Sequence, residues 1–402
     1  MQPTDSAPGA NGVPFPTPTD TGSVRDGRVE FPPWRGDADR PSTPPPALRP
    51  PAQRLGFAVV GLGRLALEQL LPALTQSGEA RLAALVSGSP EKLAQVAGQY
   101  GIAADACYAY EDFDSLSRNP EVQAVFIALP NALHRPFVER AAKAGKHVLC
   151  EKPLAMDAVE ARAMADACAD AGVKLMVAYR IHHQPHHQRV REIVRQGSYG
   201  RLVALHAVNV QTCHASAAQQ WRHKRAAAGG GALPDIGLYC LNTARYIVGE
   251  EPIEVFAHLH SPADDERFQE VEETVEFLLH FPSGLTAHCS CSYGARENKW
   301  QRLELEHASI DMPNAFDYQG QRLVISHRRG DDVALEDVVI APVNQFMAEI
   351  DHFAVCIRED RVPATPGEEG LRDHLLMEAI YRSAELGRPV RVPSPHSAEG
   401  KA

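Results

Sequence analysis

Apolar positions along this chain follow two different rhythms. From residue 55 onward, short unbroken apolar runs alternate with stretches whose apolar residues recur at helical spacing. Residues 57–60 form one such run, and the following segment carries Leu67, Leu70, Leu71 and Leu74 on one helical face. The same reading predicts strands over 81–87, 122–129, 147–150 and 174–178. Helices are expected over 90–100, with Pro90 in the first turn, over 133–144, ended by Gly145, and over 157–171, capped by Asp157. Strand and helix in alternation predict an α/β fold, a doubly wound parallel sheet with right-handed crossovers. Such sheets bind ligands beyond the carboxyl ends of their strands.

After Tyr179 the rhythm changes. Strands are expected over 201–211, 253–260, 274–281, 285–293 and 301–307, with turn-type joins such as Pro282-Ser283-Gly284. Helices are expected over 185–195, 237–247, 344–358 and 367–385. This reads as an α+β domain on a mostly antiparallel sheet. The expected organisation is a dinucleotide-binding domain over 55–178 and a second domain over 179–392, with the last helices available to pack back on the first domain. A short tail follows over 393–402. Residues 1–54 show no periodicity and recurrent proline, including Pro44-Pro45-Pro46. They read as a disordered tail, or as an arm that uses Phe31, Pro32, Pro33 and Trp34 as anchors on a neighbouring subunit.

With 402 residues, 44% hydrophobic and 23% charged, the chain has room for two cores. Its net charge of -11 argues against sequence-independent nucleic-acid binding, which needs cations to displace counterions. No apolar stretch is long enough to span a membrane. The first residues show neither a basic-then-apolar leader nor a twin arginine, so the expected location is cytoplasmic. Eight scattered cysteines without a Cys-x-x-Cys pair read as reduced structural thiols.

Three segments carry candidate chemistry. Gly61-Leu62-Gly63-Arg64-Leu65-Ala66 follows a strand and opens a helix, the pattern that cradles a pyrophosphate on helix N–H groups. At the end of the second strand an NAD-selective site places Asp or Glu on the ribose 2′-hydroxyl. Here the chain reads Ser87-Gly88-Ser89-Pro90-Glu91-Lys92, with Lys92 and Arg64 available to a 2′-phosphate, so NADP is expected over NAD. Leu129, Pro130, Asn131 and His134 stand where the fourth strand meets the cofactor cleft; Asn131 is also placed to cap the next helix. Glu151-Lys152-Pro153 puts an amine at a strand end, where an ammonium stabilises a developing alkoxide and lowers the pKa of a neighbouring acid–base group. In Gly229-Gly230-Gly231-Ala232-Leu233-Pro234-Asp235-Ile236-Gly237-Leu238-Tyr239, Asp235 and Tyr239 share a helix face. Arg180, Trp221 and Arg222 are further cofactor-side candidates; His182 and Tyr293 join Tyr239 as substrate-side candidates. His183 and His187 are spaced for a metal on a helix, but no Cys or carboxylate completes the set, so no metal is expected.

Together, GLGRLA, LPNALH, EKP and GGGxLxDIGxY resemble the glucose–fructose oxidoreductase / inositol dehydrogenase / MocA family. The likeness runs from about Gly56 to Val392. YRIHHQP, QQWR and GEEPIEV bring it nearest the glucose–fructose branch. The resemblance implies a Rossmann domain followed by a large open sheet whose face buries a homo-oligomer interface, as a dimer or tetramer. It implies Lys152 as catalytic lysine, Asp235 as the acid that positions substrate, and Tyr239 as acid–base residue. It implies tightly bound NADP, which carries hydride from an aldose to a second sugar such as fructose, and an N-terminal arm near an adjoining subunit's cofactor. By analogy with an exported branch, a periplasmic location is the alternative to a cytoplasmic one. Two other readings are a conventional NAD(P)-dependent dehydrogenase of a sugar, inositol or deoxy-sugar with exchangeable cofactor, and a cofactor-binding regulator without turnover.

Overall fold

A computed structural model describes residues 23–26, 28–30 and 49–393. Phe31 to Trp34, most of the proline-rich segment and residues 394–402 lie outside the described residues, and with them the tail and arm readings. The described part of the unit that ends at Leu48 is a hairpin, in which β1 (Ser23–Arg25) pairs antiparallel with β2 (Arg28–Glu30). No periodicity marks it. Its signal is Asp26-Gly27, a hairpin turn pair, and Asp26 takes a left-handed φ of 49°.

The second unit begins at Arg49, ahead of the expected residue 55. Arg49 Nε meets Glu79 Oε2 at 2.7 Å and Arg54 Nη1 donates to Ser77 O at 3.1 Å, which ties this lead-in down. The strands β3 (Leu55–Val60), β4 (Ala80–Val86), β5 (Cys107–Tyr108), β6 (Ala124–Ile127), β7 (His147–Glu151) and β8 (Leu175–Ala178) follow. Between them lie α1 (Leu71–Gln76), which continues a π turn over Ala66–Leu70, α2 (Pro90–Tyr100), α3 (His134–Lys143) and α4 (Ala158–Asp170). All six strands are parallel in the order β5-β4-β3-β6-β7-β8. The order reverses between β3 and β6, which opens a crevice at their carboxyl ends. Phe57 to Val60 and all of β6 are buried, as strands covered on both faces must be.

The chain then forms a 3-10 turn (Arg180–His183), α5 (Pro185–Gln196), β9 (Leu202–Thr212), α6 (Arg225–Ala228), α7 (Leu238–Val248), β10 (Glu254–His260), β11 (Thr274–His280), β12 (Thr286–Ser292), β13 (Gly294–Leu305), β14 (Ala308–Met312), β15 (Val324–Arg329), β16 (Asp332–Asp337), α8 (Gln345–Arg358), α9 (Gly367–Leu386) and β17 (Val390–Arg391). Nine strands make one sheet in the order β16-β15-β14-β13-β9-β12-β11-β10-β17, antiparallel except where β9 runs beside β12. One face buries Leu205, Ala207, Ala287, Cys289 and Cys291 beneath the helices; the other leaves His206 and His288 stacked at 4.9 Å. β16 escapes the sequence reading because it is largely exposed, so no buried face betrays it.

Both closing helices return to the first sheet. Phe353 on α8 lies 6.4 Å from Phe57, and His374 Nε2 on α9 accepts from Ala155 N at 3.0 Å. Arg245 on α7 is buried between Asp373 at 2.6 Å, Glu369 at 2.8 Å and Glu251 at 2.6 Å. Tyr179, just past β8, donates its hydroxyl to Asp373. No helix among the described residues is long and apolar enough to cross a membrane.

Candidate active site

A cleft of about 1200 Å³ opens over the carboxyl ends of β3, β4, β6, β7 and β8 and is walled opposite by β9, β13 and the approach to α7. Its dinucleotide end is built by two glycines with different tasks. Gly61 has φ 97°, and a Cβ there would stand 2.4 Å from Ala128 O, so the turn against β6 admits only glycine. At Gly63 a Cβ would meet nothing within 4 Å, which leaves open space on the cleft side. Leu62, Arg64, Leu65 and Ala66 line the same rim, and Ser87, Gly88, Ser89 and Lys92 face it from β4. Ser89 Oγ caps α2 by accepting from Lys92 N at 3.3 Å, while Ser87 Oγ accepts from Ser89 N at 3.2 Å. Glu91 is not among the lining residues, and Lys92 makes no ion pair among the described residues. Arg64 pairs with Glu68 at 3.3 Å, both well exposed. Open space at Gly63, a capped helix and an unengaged ammonium are what the phosphates of a dinucleotide require.

The opposite end is a charged cluster. Lys152, in a cis peptide bond with Pro153, donates to the Asp235 carbonyl and to Asp235 Oδ1 at 3.2 Å. Its Nζ lies 4.7 Å from the centre of the Tyr239 ring. Asp235 Oδ2 accepts from the Tyr293 hydroxyl at 2.6 Å and stands 3.4 Å from Arg222 Nε. A π turn over Leu233–Gly237 leads into α7 and sets Asp235 one turn before Tyr239. The Tyr239 hydroxyl has no hydrogen-bond partner among the described residues and is free to meet a ligand.

Burial by itself pushes Asp235 up, yet the Lys152 and Arg222 charges and the Tyr293 hydroxyl outweigh it and hold the carboxyl well below its usual range. Burial pulls Lys152 down, and Asp235, Tyr239 and Glu151 more than offset it, so the ammonium is held charged. Glu151 goes the other way. Burial raises it to about 7 against the lowering effect of Lys152, Arg180 and Arg222.

Leu129, Pro130, Asn131, Glu151, Arg180, Trp221, Arg222 and Tyr293 all line the cleft. Two expected site residues do not. His134 is wholly buried, with its ring nitrogens on Leu129 O at 2.9 Å and Pro153 O at 2.9 Å, and it braces the loops beneath the cleft. His182 is buried with Nε2 on Asn242 Oδ1 at 2.7 Å, inside the joint around Arg245. Burial lowers it to about 4, so it is neutral. Asn131 does not cap α3; its Nδ2 donates to Ala228 O at 2.8 Å and holds the glycine loop. In that loop, a Cβ on Gly230 would stand 2.0 Å from the Tyr381 hydroxyl and one on Gly231 2.1 Å from Glu272 O. These two glycines admit protein neighbours rather than a ligand.

Arg180 spends Nη1 on Gln345 Oε1 at 2.6 Å and Nη2 on Phe316 O at 2.6 Å, with its guanidinium 4.9 Å from the Tyr239 ring centre and 4.6 Å from that of Tyr318. It props Tyr239 from behind more than it offers donors to the cleft. Tyr110, Asn209, Lys299, Phe316 and Tyr318 line the cleft without having been foreseen. Only Asn209, an inward polar residue on an apolar strand, carried a sequence signal. Tyr110 packs against Gly88, where a Cβ would stand 2.9 Å from its ring.

Comparison with known proteins agrees with this geometry. Residues 55–179 match the Gfo/Idh/MocA "oxidoreductase family, NAD-binding Rossmann fold", and residues 187–307 match the "GFO/IDH/MocA C-terminal domain". The chain is similar to the D-xylose 1-dehydrogenase (NADP(+)) of Haloarcula marismortui, 31% identical over 340 residues, which cover 84% of this chain and 92% of the relative. Among solved structures it is similar to the aldose-aldose oxidoreductase of Caulobacter crescentus complexed with glycerol. That match has a TM-score of 0.80 and 43% identity, and covers 84% of this chain and 99% of the other. A levoglucosan dehydrogenase structure with NADH and levoglucosan shares the fold, with a TM-score of 0.75 at 24% identity over 85% of this chain and 100% of the other.

Proposed function

The chain belongs to the Gfo/Idh/MocA oxidoreductase family, and from that premise we propose that it is an NADP-dependent sugar oxidoreductase, oxidising the anomeric hydroxyl of a glucose-like aldose to a lactone. One observation carries the reading: Lys152, Asp235, Tyr293 and Arg222 form a bonded network beside the unengaged Tyr239 hydroxyl, in the same cleft as the Gly61 turn. When bound, NADP supplies the carbon that accepts the hydride. Gly61 to Ala66 hold its phosphates, and Ser87, Ser89 and Lys92 take the 2′-phosphate. Tyr239 accepts the hydroxyl proton as the C–H bond breaks with its electron pair and the carbonyl forms. The Lys152 ammonium, kept charged by Asp235, stabilises the negative charge on oxygen.

NADP is favoured over NAD because no carboxylate lines the β4 end of the cleft where a ribose 2′-hydroxyl is read. We further propose that the cofactor stays bound while a second sugar is reduced in the same site. The name of the 43% identical solved relative supports an aldose acceptor, beside fructose as the ketose alternative. The xylose dehydrogenase relative favours a second reading, in which the cofactor leaves after each turnover. Absorbance of the freshly purified protein in the nicotinamide band separates the two, followed by an aldose screen for reduction of whatever is bound. Lys152→Met is expected to lower kcat by about 10²–10⁴-fold while cofactor binding persists; near-normal turnover refutes the assignment. Self-assembly as a dimer or tetramer is proposed through the open sheet face that carries His206 and His288, with light scattering as the measurement.

A further inference from the structure

Tyr318 stands out from a loop that is otherwise held fast. The loop, residues 313–323, joins β14 to β15. Asn314 bends its entry at a left-handed φ of 56° and donates Nδ2 to Gly320 O at 3.0 Å, which closes the loop on itself. Ala315 N donates to Lys299 O at 2.7 Å, and Lys299 Nζ reaches Asp317 Oδ1 at 2.6 Å. Side chains from outside the loop then take three successive carbonyls. Arg180 donates to Phe316 O at 2.6 Å and to Asp317 O at 3.2 Å, and Gln345 Nε2 donates to Asp317 O at 3.1 Å and to Tyr318 O at 2.9 Å. A backbone pinned at each of three residues presents its side chains at fixed places.

The Tyr318 hydroxyl is not used by the fold. Tyr318 is 44% exposed and lines the cleft. Its ring meets Phe346 edge-on at 5.1 Å and the Arg180 guanidinium at 4.6 Å, while its hydroxyl has no hydrogen-bond partner among the described residues. The same guanidinium lies 4.9 Å from the centre of the Tyr239 ring. One cation therefore clasps two tyrosines, and both line one cleft with unengaged hydroxyls. Tyr293, by contrast, commits its hydroxyl to Asp235 at 2.6 Å. A tyrosine held by its ring and bare at its hydroxyl suits a ligand that is polar where it meets that hydroxyl.

We propose that Tyr318 is a specificity-determining residue: its hydroxyl hydrogen-bonds a second hydroxyl group of the sugar whose anomeric hydroxyl meets Tyr239. The proposal rests on the functional reading above and narrows its substrate class to polyhydroxylated rings rather than simple alcohols. A substrate with one hydroxyl satisfies Tyr239 alone. A sugar ring satisfies both tyrosines and is fixed against rotation about its reacting carbon. The dinucleotide is gripped at the Gly61 turn, so its binding does not draw on this hydroxyl.

The test compares the full chain with Tyr318→Phe, which keeps the ring and removes the hydroxyl. Because that hydroxyl holds no protein group, thermal stability is expected to stay unchanged, as is NADPH affinity read by fluorescence titration. Glucose and its mono-deoxy analogues are the probes. In the wild type, taking the partner hydroxyl off the sugar is expected to lower kcat/KM by about three- to tenfold. In Tyr318→Phe, glucose itself suffers that loss, through KM with kcat kept, and the one matching deoxy analogue suffers no further loss. Penalties at the other deoxy positions are expected to be alike in the two proteins. The proposal is overturned if the variant matches the wild type on glucose, if it loses equally on every analogue, if it binds NADPH more weakly, or if its stability falls. Each of those outcomes leaves the functional reading standing. If the wild type oxidises no sugar of the set, the functional reading falls and the role of Tyr318 with it.

Discussion

Asp235 is the residue on which the polar end of the cleft converges, with Lys152, Arg222 and Tyr293 all engaged by its carboxylate. Asp235→Asn keeps the shape and removes the charge. Lys152, pulled down by burial, then loses the first of the charges that hold it up. Its raised pKa keeps the ammonium intact through the whole neutral range. In the variant, deprotonation begins at lower pH, so the alkaline limb of the kcat/KM profile is expected to move toward neutrality. Leaving the largely buried Lys152 ammonium without its carboxylate is expected to cost about 3 kcal/mol, read by urea denaturation, to which the exposed Arg222 adds little. Lys152, Asp235 and Tyr239 were legible in the sequence because the spacing of each motif sets its place on a strand end or helix face. His134 and His182 were misread because a histidine near a strand end looks the same whether it points into a cleft or under it. Glu349 shares the inward face of α8 with Phe346, Ile350 and Phe353, a place that its spacing gives and its charge disguises.

Among the elements, the two glycine loops make opposite predictions. Gly63→Ala meets no protein atom, so thermal stability is expected to hold while NADP binding weakens about tenfold or more, measured by titration. Gly231→Ala drives a methyl into Glu272 O and is expected to cost about 1–3 kcal/mol and to lower turnover by displacing Asp235. Unchanged stability in that variant refutes the structural role given to the loop. The elements themselves were read well where burial leaves a rhythm, as in β3, β6 and α4. They were missed where it does not. β5 is two residues long, β16 is almost entirely exposed, and the β1–β2 hairpin rests on a turn pair rather than a periodicity.

Across the whole molecule, the two sheets are joined by helices α7, α8 and α9 and by the buried Arg245 cluster. Arg245→Met strands Asp373 and Glu369 without their cation and is expected to lower stability by about 3–5 kcal/mol, with kcat kept in the folded fraction. Equal stability in urea denaturation refutes that role. The same joint has a kinetic consequence. Walls riveted together by charges that cannot be parted cheaply do not swing open to change guests. On the proposed reading, the oxidised sugar must therefore leave by the mouth through which the next one enters. Donor and acceptor become rivals for one doorway, and excess of either is expected to jam the turnstile: parallel lines in double-reciprocal plots, bending upward at high concentration.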